Sequence, residues 1–474
     1  MKLNQIVFFI SISLVYRLFL KNKWLDWFVL LISIATIYWL QTISTIRTLD
    51  FWFPTLSISF GIISWIIISK KEELNSRENI ITFVSVISLL LIIGISRFIP
   101  IPGIYKFVSV PNFIHTLQFL IILNFVILAI RLFHGKEIIF WGMFGILVLI
   151  FIILKNDLLS FKLSTFLRQI NKQLTNLASS DEISWVGYSY VAFRILHALI
   201  ESKKRMGLNV SLRSYLGYLF YFPAFLAGPI DRIDHFQEEI FSDKKPLTED
   251  LLNAGEQIAI GLFQKFILAD SLAIISINET LSATITSRYW MWLVVIVYAF
   301  RIYFDFNGYT NIALGISKII GIQLPDNFNK PLLSPTLTIF WNNWHITLTQ
   351  WFRAYYFNPM TRFIRIKFRS LNSQIIMAIM QITTMVLIGL WHGISYNFIA
   401  WGAWNGIGLF LQNKITGFIT RKTGSGKPFW QISAIHKAFS IVLTFLYISL
   451  GWVWFALPTL DASMRVFFVL FGKK

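Results

Sequence analysis

The sequence predicts an all-α polytopic membrane protein, and its composition and its long apolar runs lead to this fold class. Of the 474 residues, 56% are hydrophobic and only 14% are charged, and the mean hydropathy is +0.64. Several runs of about 18 or more residues contain few or no charged residues, which is the pattern of membrane-spanning helices. At about twenty residues for each span, the chain has room for roughly eleven to thirteen membrane segments.

The chain is strongly basic, with a formal net charge of +19 from 42 Lys and Arg against 23 Asp and Glu. Most of the basic residues lie in short loops between apolar runs, where an excess of Lys and Arg marks the cytosolic side of a membrane. We therefore do not expect nucleic acid to be a partner. Cytosolic basic loops could also attract anionic lipid head groups or an acidic partner protein.

Residues 1–155 are predicted to form an N-terminal transmembrane scaffold. They contain six apolar runs separated by basic or polar turns, and they show no convergent group of polar residues. The first run begins close to Met1 without a small-residue cleavage site after it, so we expect an uncleaved span. The runs fall near residues 5–20, 24–46, 51–69, 80–98, 113–133 and 137–155.

Residues 156–184 have a different pattern, in which apolar residues recur at helical spacing and basic or amide residues fill the opposite face. We predict an amphipathic helix that lies along the membrane surface. A solvated helix packed against another loop is the alternative. The apolar positions are Leu163, Phe166, Leu167, Ile170, Leu174 and Leu177, and the polar ones are Lys162, Arg168, Asn171 and Lys172.

Residues 185–412 are predicted to form the functional core, because polar residues and glycines now interrupt the apolar runs. Charged side chains are costly when they face lipid, so these must face a protein interior or a water-filled cavity. Residues 413–474 are predicted to supply one or more C-terminal transmembrane segments. The interrupting residues include Arg194, His197, Lys265, Arg301 and Asp305.

Two of the seven histidines lie in Trp-rich surroundings. His392 stands between two glycines in the stretch from Gly389 to Gly393, with apolar runs on both sides. Ionisable residues inside a membrane span are rare and indicate a functional site, although a buried histidine bonded to a backbone carbonyl explains this stretch equally well. His345 lies in the Trp- and Asn-rich stretch 340–353, which suits an interfacial or re-entrant helix. From that stretch alone, a hydrogen-bonded interfacial histidine is the more common case.

Several catalytic frameworks are absent from the sequence. The chain has no cysteine, which excludes a cysteine nucleophile, disulfides and a thiolate metal site. It has no phosphate-binding loop, no His-Glu-x-x-His zinc motif and no Gly-x-Ser-x-Gly nucleophile elbow. We therefore predict no metal site.

Six short motifs occur in a fixed order between residues 185 and 412, and together they give the chain a family resemblance. The sequence resembles the membrane-bound O-acyltransferase (MBOAT) family, in particular its bacterial branch, which includes alginate O-acetyltransferases and teichoic-acid D-alanyltransferases. The motifs are Phe222-Pro223 with 227–230, Gly261 to Lys265, Tyr303 to Tyr309, Asp326 to Pro331, Phe340 to His345 and Gly389 to Gly393.

The resemblance implies a ring of tilted helices around a central funnel. It also implies a catalytic role for His392, which we expect to act as general base, and a supporting role for His345. His345 and its neighbours would position the donor or polarise its carbonyl. The expected substrate-binding residues are Trp341, Asn342, Asn343, Trp344, Arg353, Asp305 and Trp391.

Asp305 has two interpretations of equal weight. It could orient a histidine or bind the polar acceptor, or it could form an ion pair with Arg301 or Lys265. Two other positions depart from the family pattern: Ala354, where many bacterial members have aspartate, and Asn405, where acetylating relatives often have histidine. Ala354 weakens any role carried over for an acid at that position.

The implied reaction moves a small acyl group, acetyl or D-alanyl, from a cytosolic thioester to a hydroxyl. The donor would be coenzyme A or an acyl carrier protein, as a co-substrate, and no bound cofactor is expected. The acceptor would be an extracytoplasmic glycopolymer or a relay protein, reached from a multi-pass protein of the bacterial cytoplasmic membrane. Such a transfer needs a base near the hydroxyl and the exclusion of water. A transporter or flippase that uses the same polar cavity, or an inactive acyltransferase scaffold, is the alternative.

Overall fold

The computed structural model describes residues 2–19, 22–95, 109–242, 248–422 and 428–472, and these residues are mainly α-helical. Within those ranges the only β pairing is at two isolated bridges, Ser69 with Leu208 and Phe328 with Trp344. The predicted all-α class is therefore confirmed. In the first half of the chain the helices are α1 Leu3–Phe19, α2 Leu25–Leu40, α3 Leu49–Ile68, α4 Arg77–Ile95, α5 Phe113–Leu132, α6 Glu137–Lys155, α7 Asp157–Ile170, α8 Tyr188–Arg205, α9 Leu212–Phe220 and α10 Ile233–Ile240.

The second half of the chain continues with longer and more interrupted helices. Two π-helical segments, Phe263–Ala269 and Arg353–Phe357, occur within it. Its helices are α11 Thr248–Leu262, α12 Asp270–Ile275, α13 Glu279–Thr284, α14 Arg288–Ile320, α15 Leu337–Asn343, α16 Ile346–Phe352, α17 Asn358–Lys367, α18 Ser373–His392, α19 Tyr396–Lys422, α20 Ala434–Ala456 and α21 Leu460–Phe471.

Eight helical stretches among the described residues are long and apolar enough to cross a membrane, and α1 and α2 are shorter apolar helices. Five of the six N-terminal runs predicted from sequence coincide with helices within about three residues, apart from residues 20 and 96–98, which lie outside the described residues. The second run, 24–46, was predicted too long, because α2 ends at Leu40. The protein is therefore a multi-pass membrane protein. The eight stretches are α3, α4, α5, α6, Glu249–Thr284, α14, α18 and α20.

The chain divides into two compact units. The first contains residues 1–254 and 316–324, and the second contains residues 255–315 and 325–474. Both histidines singled out in the sequence belong to the second unit.

In the first unit, a buried arginine holds the end of a helix against the loop that follows it. Arg194 on α8 is 1% exposed, and its guanidinium donates to the carbonyl oxygens of Tyr218 (3.2 Å) and Leu219 (2.8 Å). It also donates to the carbonyls of Ala224 (3.1 Å) and Pro229 (3.3 Å). The last carbonyls of a helix have no partner within the helix and carry partial negative charge. Arg194 therefore satisfies the C-terminal end of α9 and fixes the next loop with one side chain.

Helix α7 lies inside the segment predicted to be amphipathic, and the helix itself covers Asp157–Ile170. Its small polar face is turned inward, since Ser160, Ser164 and Arg168 are buried. Its large apolar side chains, such as Phe166 at 56% exposed, point outward. An exposed apolar face is typical of a helix that lies along a membrane surface.

The buried face of α7 contains an ion pair with the turn Ser180–Glu182. Arg168 Nε donates to Glu182 Oε2 at 2.8 Å, and Arg168 Nη2 makes a second, shorter bond to Glu182 Oε1. Ser164 Oγ donates to Glu182 Oε2 at 2.6 Å. The bond from Arg168, followed by those from the neighbouring hydroxyls, lowers the pKa of Glu182 to about 2.

This ion pair predicts a pH-dependent stability. Because the pKa of Glu182 is about 2 in the folded protein and 4.5 for an ordinary glutamate of the unfolded chain, its contribution to stability is complete above pH 4.5 and disappears as the pH falls towards 2. In thermal unfolding of the purified protein, Glu182→Gln should lower the Tm most at pH 7, and its difference from wild type should shrink below pH 4.5. Asp181→Asn, a change at an exposed carboxylate in the same turn, should leave the Tm unchanged. A Glu182→Gln effect that is constant with pH would contradict the assignment.

In the second unit, α18 and α19 pack through glycines at backbone distance. A Cβ added at Gly402 would lie 2.5 Å from the carbonyl oxygen of Met385 and from Cα of Val386. One added at Gly406 would lie 2.6 Å from Cα of Ile382. Small residues spaced four apart let membrane helices approach closely enough for their backbones to touch. The spacing of Gly402 and Gly406 therefore sets the distance between these two helices.

We expect Gly402→Ala to destabilise the second unit by about 1–3 kcal/mol, because the added methyl group forces α18 and α19 apart. The matched control is Gly417→Ala on the same helix, where an added Cβ meets nothing within 4 Å. The control should be neutral or stabilising by up to about 1 kcal/mol, since alanine favours helix. Thermal unfolding of both variants in the same detergent measures the difference, and equal Tm values would refute the packing argument.

Candidate active site

His392 is the last residue of α18 and is half-buried in a group of aromatic rings. The centroid of its ring lies 4.5 Å from Trp391, 4.8 Å from Phe455, 5.7 Å from Trp401 and 6.0 Å from Phe398. Imidazole is the side chain that most often serves as a general base in enzymes. An imidazole in this position is therefore suited to accept a proton.

Both glycines beside His392 are needed for close packing. A Cβ at Gly393 would lie 2.5 Å from the ring of Phe398, and a Cβ at Gly389 would collide with the carbonyl oxygen of Phe398. Phe398 in turn stacks on the imidazole of His392 at an interplanar angle of 22°. The glycines thus allow α19 to bring this ring onto the histidine.

His345 breaks the helix in which the sequence placed it. The structure has two short helices, α15 and α16, and His345 lies between them with φ of +43°. Left-handed backbone is uncommon and strained at a residue other than glycine, and at a candidate site it is consistent with a functional constraint. The break leaves peptide N–H groups without helical partners, and Asn327 accepts two of them. Ile346 N donates to the Asn327 carbonyl at 3.0 Å, and Thr347 N donates to Asn327 Oδ1 at 3.3 Å.

The same asparagine fixes the tautomer of His345. Because the backbone N–H of Thr347 can only donate, the Asn327 atom that it reaches is the oxygen. His345 Nδ1 lies 3.3 Å from this oxygen and therefore carries the proton. His345 is 4% exposed, and its Nε2 is buried with no hydrogen-bond partner among the described residues. Nε2 thus presents a lone pair to the interior, where burial disfavours the imidazolium form.

This tautomer changes what His345 can do. Nε2 accepts a hydrogen bond and does not donate one, so the expected polarisation of a carbonyl by His345 does not follow from this geometry. A hydroxyl or thiol donor is the partner that fits it.

One tryptophan connects the two histidines. The ring of Trp391 is 6.1 Å from His345 and 4.5 Å from His392. On its other side His345 meets Phe306 of α14, at 4.7 Å and an interplanar angle of 85°. The structure therefore brings residues 47 positions apart in sequence into one aromatic cluster.

Trp341 and Trp344 also belong to this cluster. Trp341 is 7% exposed, lies 5.5 Å from Trp401, and has an indole Nε1 without a hydrogen-bond partner among the described residues. Trp344 lies 5.2 Å from Trp452 and 6.3 Å from Tyr303. A buried indole N–H without a partner is uncommon, because burying it unsatisfied costs free energy. Trp341 is therefore a donor available to a ligand.

The other predicted substrate-binding residues lie on more open surfaces. Arg353 Nη2 donates to Asn342 Oδ1, and both residues are exposed. The carbonyl of Asn343 accepts a hydrogen bond from Asn329 N at 3.1 Å, which ties α15 to the Asn327 loop. Asn343 thus supports the helix break through its backbone.

Asp305 forms an ion pair with Lys265, as the second interpretation of the sequence required. The ion pair lies where the end of α11 and the π-helical segment that follows it cross α14. A glycine on each side allows the two backbones to approach closely. A Cβ at Gly261 would be 2.7 Å from the carbonyl oxygen of Gly308, and one at Gly308 would be 2.8 Å from Lys265 N. Beside it, Gln264 Oε1 accepts from two asparagine side chains of α14 at 3.0 and 2.9 Å. The two motifs are therefore explained as partners in one helix crossing.

The sequence did not single out four residues that complete the cluster. Asn327 was part of a motif but received no role. Trp401, Trp452 and Phe455 were treated as parts of ordinary spans. The concentration of aromatic residues from Trp452 to Phe455 was the available signal, since lipid-facing spans are mainly aliphatic. Asn405 is 1% exposed and donates to the carbonyl of Trp401 at 2.9 Å, which places it on the helix that carries this cluster.

Comparisons with known proteins agree with this arrangement. Residues 133–451 match the family model of MBOAT, the membrane-bound O-acyltransferase family. The chain is 32% identical over 287 residues to a teichoic acid D-alanyltransferase of Streptococcus thermophilus, a match that covers 58% of this chain and 68% of the relative.

Two other relatives match over a smaller share of their length. A probable alginate O-acetylase AlgI of Azotobacter vinelandii is 28% identical over 289 residues, covering 60% of this chain and 54% of the relative. A peptidoglycan O-acetyltransferase of Helicobacter pylori is 31% identical over 262 residues, covering 54% and 46%. The chain thus spans about half the length of these two relatives.

The protein has multiple membrane spans and two histidines in one aromatic cluster, and the family model matches more than half of its length. These findings define an integral-membrane enzyme of the acyltransferase class. The chain belongs to the membrane-bound O-acyltransferase family, as its motifs implied.

We expect Asn327→Leu to lower the free energy of unfolding by about 1–3 kcal/mol, because it leaves the buried N–H of Thr347 without its acceptor. It should also release the tautomer of His345. Thr347→Val is the matched control, since it removes only the hydroxyl that donates to the same oxygen at 2.7 Å. The control should cost less in denaturant or thermal unfolding. If the two variants unfold alike, the bond to the backbone does not hold the helix break.

Proposed function

We propose that this protein transfers a small acyl group, acetyl or D-alanyl, from a cytosolic thioester to a hydroxyl of an extracytoplasmic glycopolymer or relay protein. The observation that carries the proposal is the pair of histidines joined through Trp391, one half-buried at a helix end and one buried with a bare Nε2. The donor is coenzyme A or an acyl carrier protein that carries the acyl group, and the protein acts in the bacterial cytoplasmic membrane.

The reaction requires a group that accepts the proton of the hydroxyl and a group that donates a hydrogen bond to the carbonyl oxygen of the thioester. His392 takes the proton from the acceptor hydroxyl while the hydroxyl oxygen attacks the carbonyl carbon of the thioester. The new C–O bond forms, the C–S bond breaks, and the thiolate leaves with the proton returned by the imidazolium. The chain has no cysteine, so an acyl-cysteine intermediate is excluded, and in this mechanism the acyl group passes directly to the acceptor.

Two neighbours supply the remaining functions. The unpartnered indole N–H of Trp341 can donate to the developing oxyanion of the thioester carbonyl, where a preorganised donor has its largest effect. The lone pair of His345 Nε2 can accept a hydrogen bond from the hydroxyl of the acyl acceptor or from a nearby group, and this bond would hold that group in its orientation. The aromatic rings around His392 keep water from competing with the acceptor.

A transporter is the alternative function for polar residues inside the membrane. That function predicts paired broken helices in two symmetric halves. The break between α15 and α16 has no symmetric counterpart in the motifs of the sequence, so the transferase explains the histidine pair better.

His392→Ala should lower acyl transfer by about 10²–10⁴-fold, as expected for loss of a general base. The assay uses membranes that contain the protein, with radiolabelled acetyl coenzyme A and, separately, a D-alanyl carrier protein, and it measures loss of label from the thioester. His436→Ala is the control, since His436 is a partly exposed histidine bonded to Ser433 and lies outside the cluster. Wild-type turnover by His392→Ala would refute the role of this histidine, and movement of label without thioester cleavage would favour transport.

A further inference from the structure

A cavity of about 580 Å³ lies in the first unit, and most of its lining comes from residues 1–155, the predicted scaffold. It is formed by the end of α3, the turn between α5 and α6, and the C-terminal end of α8. Backbone bonds hold these parts together: Leu208 N donates to the Ile68 carbonyl at 2.7 Å, and His134 Nε2 lies 3.1 Å from the carbonyl of Ser69. The cavity is therefore built from fixed helix ends.

The cavity has an excess of positive charge. Four lysines and two glutamates line it. Lys203 and Glu137 form an ion pair at 3.1 Å and offset each other. The remaining carboxylate is that of Glu72. The remaining amines are those of Lys70, Lys71 and Lys136, which form no ion pair within the described part of the chain. An anionic ligand suits this lining.

A buried hydroxyl gives a second, independent indication of a ligand. Ser69 lines the cavity and is 1% exposed, and its Oγ has no hydrogen-bond partner among the described residues. A buried hydroxyl without a partner carries a cost that a bound acceptor group would remove. A phosphate oxygen is an acceptor of this kind.

One wall of the cavity is apolar and adjoins helices that face lipid. Ile130 of α5 and Ile139 and Phe140 of α6 line it. Only 22% of the spanning window of α5 and 11% of that of α6 are buried inside the protein. Acyl chains of a bilayer lipid can therefore lie along these helices while its head group enters the cavity.

We propose that this cavity binds the phosphate head group of an anionic phospholipid from the surrounding bilayer. Its three unpaired lysines lie in short basic loops, which indicates the cytosolic side of the membrane. Basic pockets between membrane helices on that side are suited to acidic lipid head groups. Free phosphate would meet the same amines, but it would leave the apolar wall unused. The lipid uses both.

The test is binding to the purified full-length protein in detergent, by native mass spectrometry and by thermal shift. The probes are phosphatidylglycerol, phosphatidylcholine and inorganic phosphate. The variant K70Q/K71Q/K136Q removes the unpaired amines, and K23Q/R77Q/K204Q removes the same number of charges from first-unit residues that do not line the cavity. Ser69→Ala is a further variant that leaves every charge in place.

We expect one phosphatidylglycerol to remain bound to wild type and to raise its Tm, with at least tenfold weaker binding of phosphatidylcholine. K70Q/K71Q/K136Q should weaken phosphatidylglycerol binding at least tenfold, Ser69→Ala severalfold, and the control triple variant less than twofold. Unchanged binding in both cavity variants overturns the proposal. So does inorganic phosphate that binds as tightly as the lipid, which would make this a free-anion site. If the triple variant fails to fold, Ser69→Ala and Lys136→Gln decide the question.

Discussion

The backbone contact between α18 and α19 is the constraint on which the histidine cluster depends. At Gly389, Gly402 and Gly406 a single added carbon would collide with the facing helix. With side chains there, α19 could not bring Phe398 and Trp401 against His392. Close helix approach in a membrane comes from van der Waals packing of small residues, because lipid is as apolar as the side chains it would replace. The glycines therefore set the distance between α18 and α19, and this distance decides which rings contact His392.

A second constraint concerns the broken helix at His345. Inside a membrane, a helix can be interrupted only where other protein groups take over its backbone hydrogen bonds. Asn327 does this through both its carbonyl and its side chain, and the same side-chain oxygen orients the imidazole of His345. Structural support and the state of a functional group thus depend on one asparagine. This coupling explains why a strained backbone conformation is retained at that position.

The first unit handles buried polar groups in a different way. Arg194 is held by four carbonyl oxygens, and Glu182 is held by Arg168 and hydroxyls. In each case a charge that would be costly in isolation is surrounded by groups of opposite polarity. The cavity at the helix ends is the exception, because its lysines exceed its carboxylates. The first unit, which includes the predicted scaffold, therefore also contains a cavity with an excess of basic side chains.

The sequence alone determined the all-α membrane class, the positions of the first six helices apart from the end of α2, and the family. It could do so because apolar run length is a local property and because the motifs are contiguous. It also selected His392, His345, Trp341 and Trp391, since histidine and tryptophan are conspicuous in apolar runs. It predicted one helix through His345, because nothing local reveals that Asn327 offers better partners than the helix itself.

Only the tertiary structure decided which groups meet. Trp452 and Phe455 join the cluster from a span far along the chain, and contact at that separation leaves no periodic trace in sequence. The tautomer of His345 follows from its hydrogen bond to Asn327, which lies 18 residues earlier in the chain. The sequence left Asp305 between two roles, and the structure pairs it with Lys265 because Gly261 and Gly308 let their helices cross at backbone distance. Residue types set what each side chain can do, and the helix crossings set which of those possibilities is used.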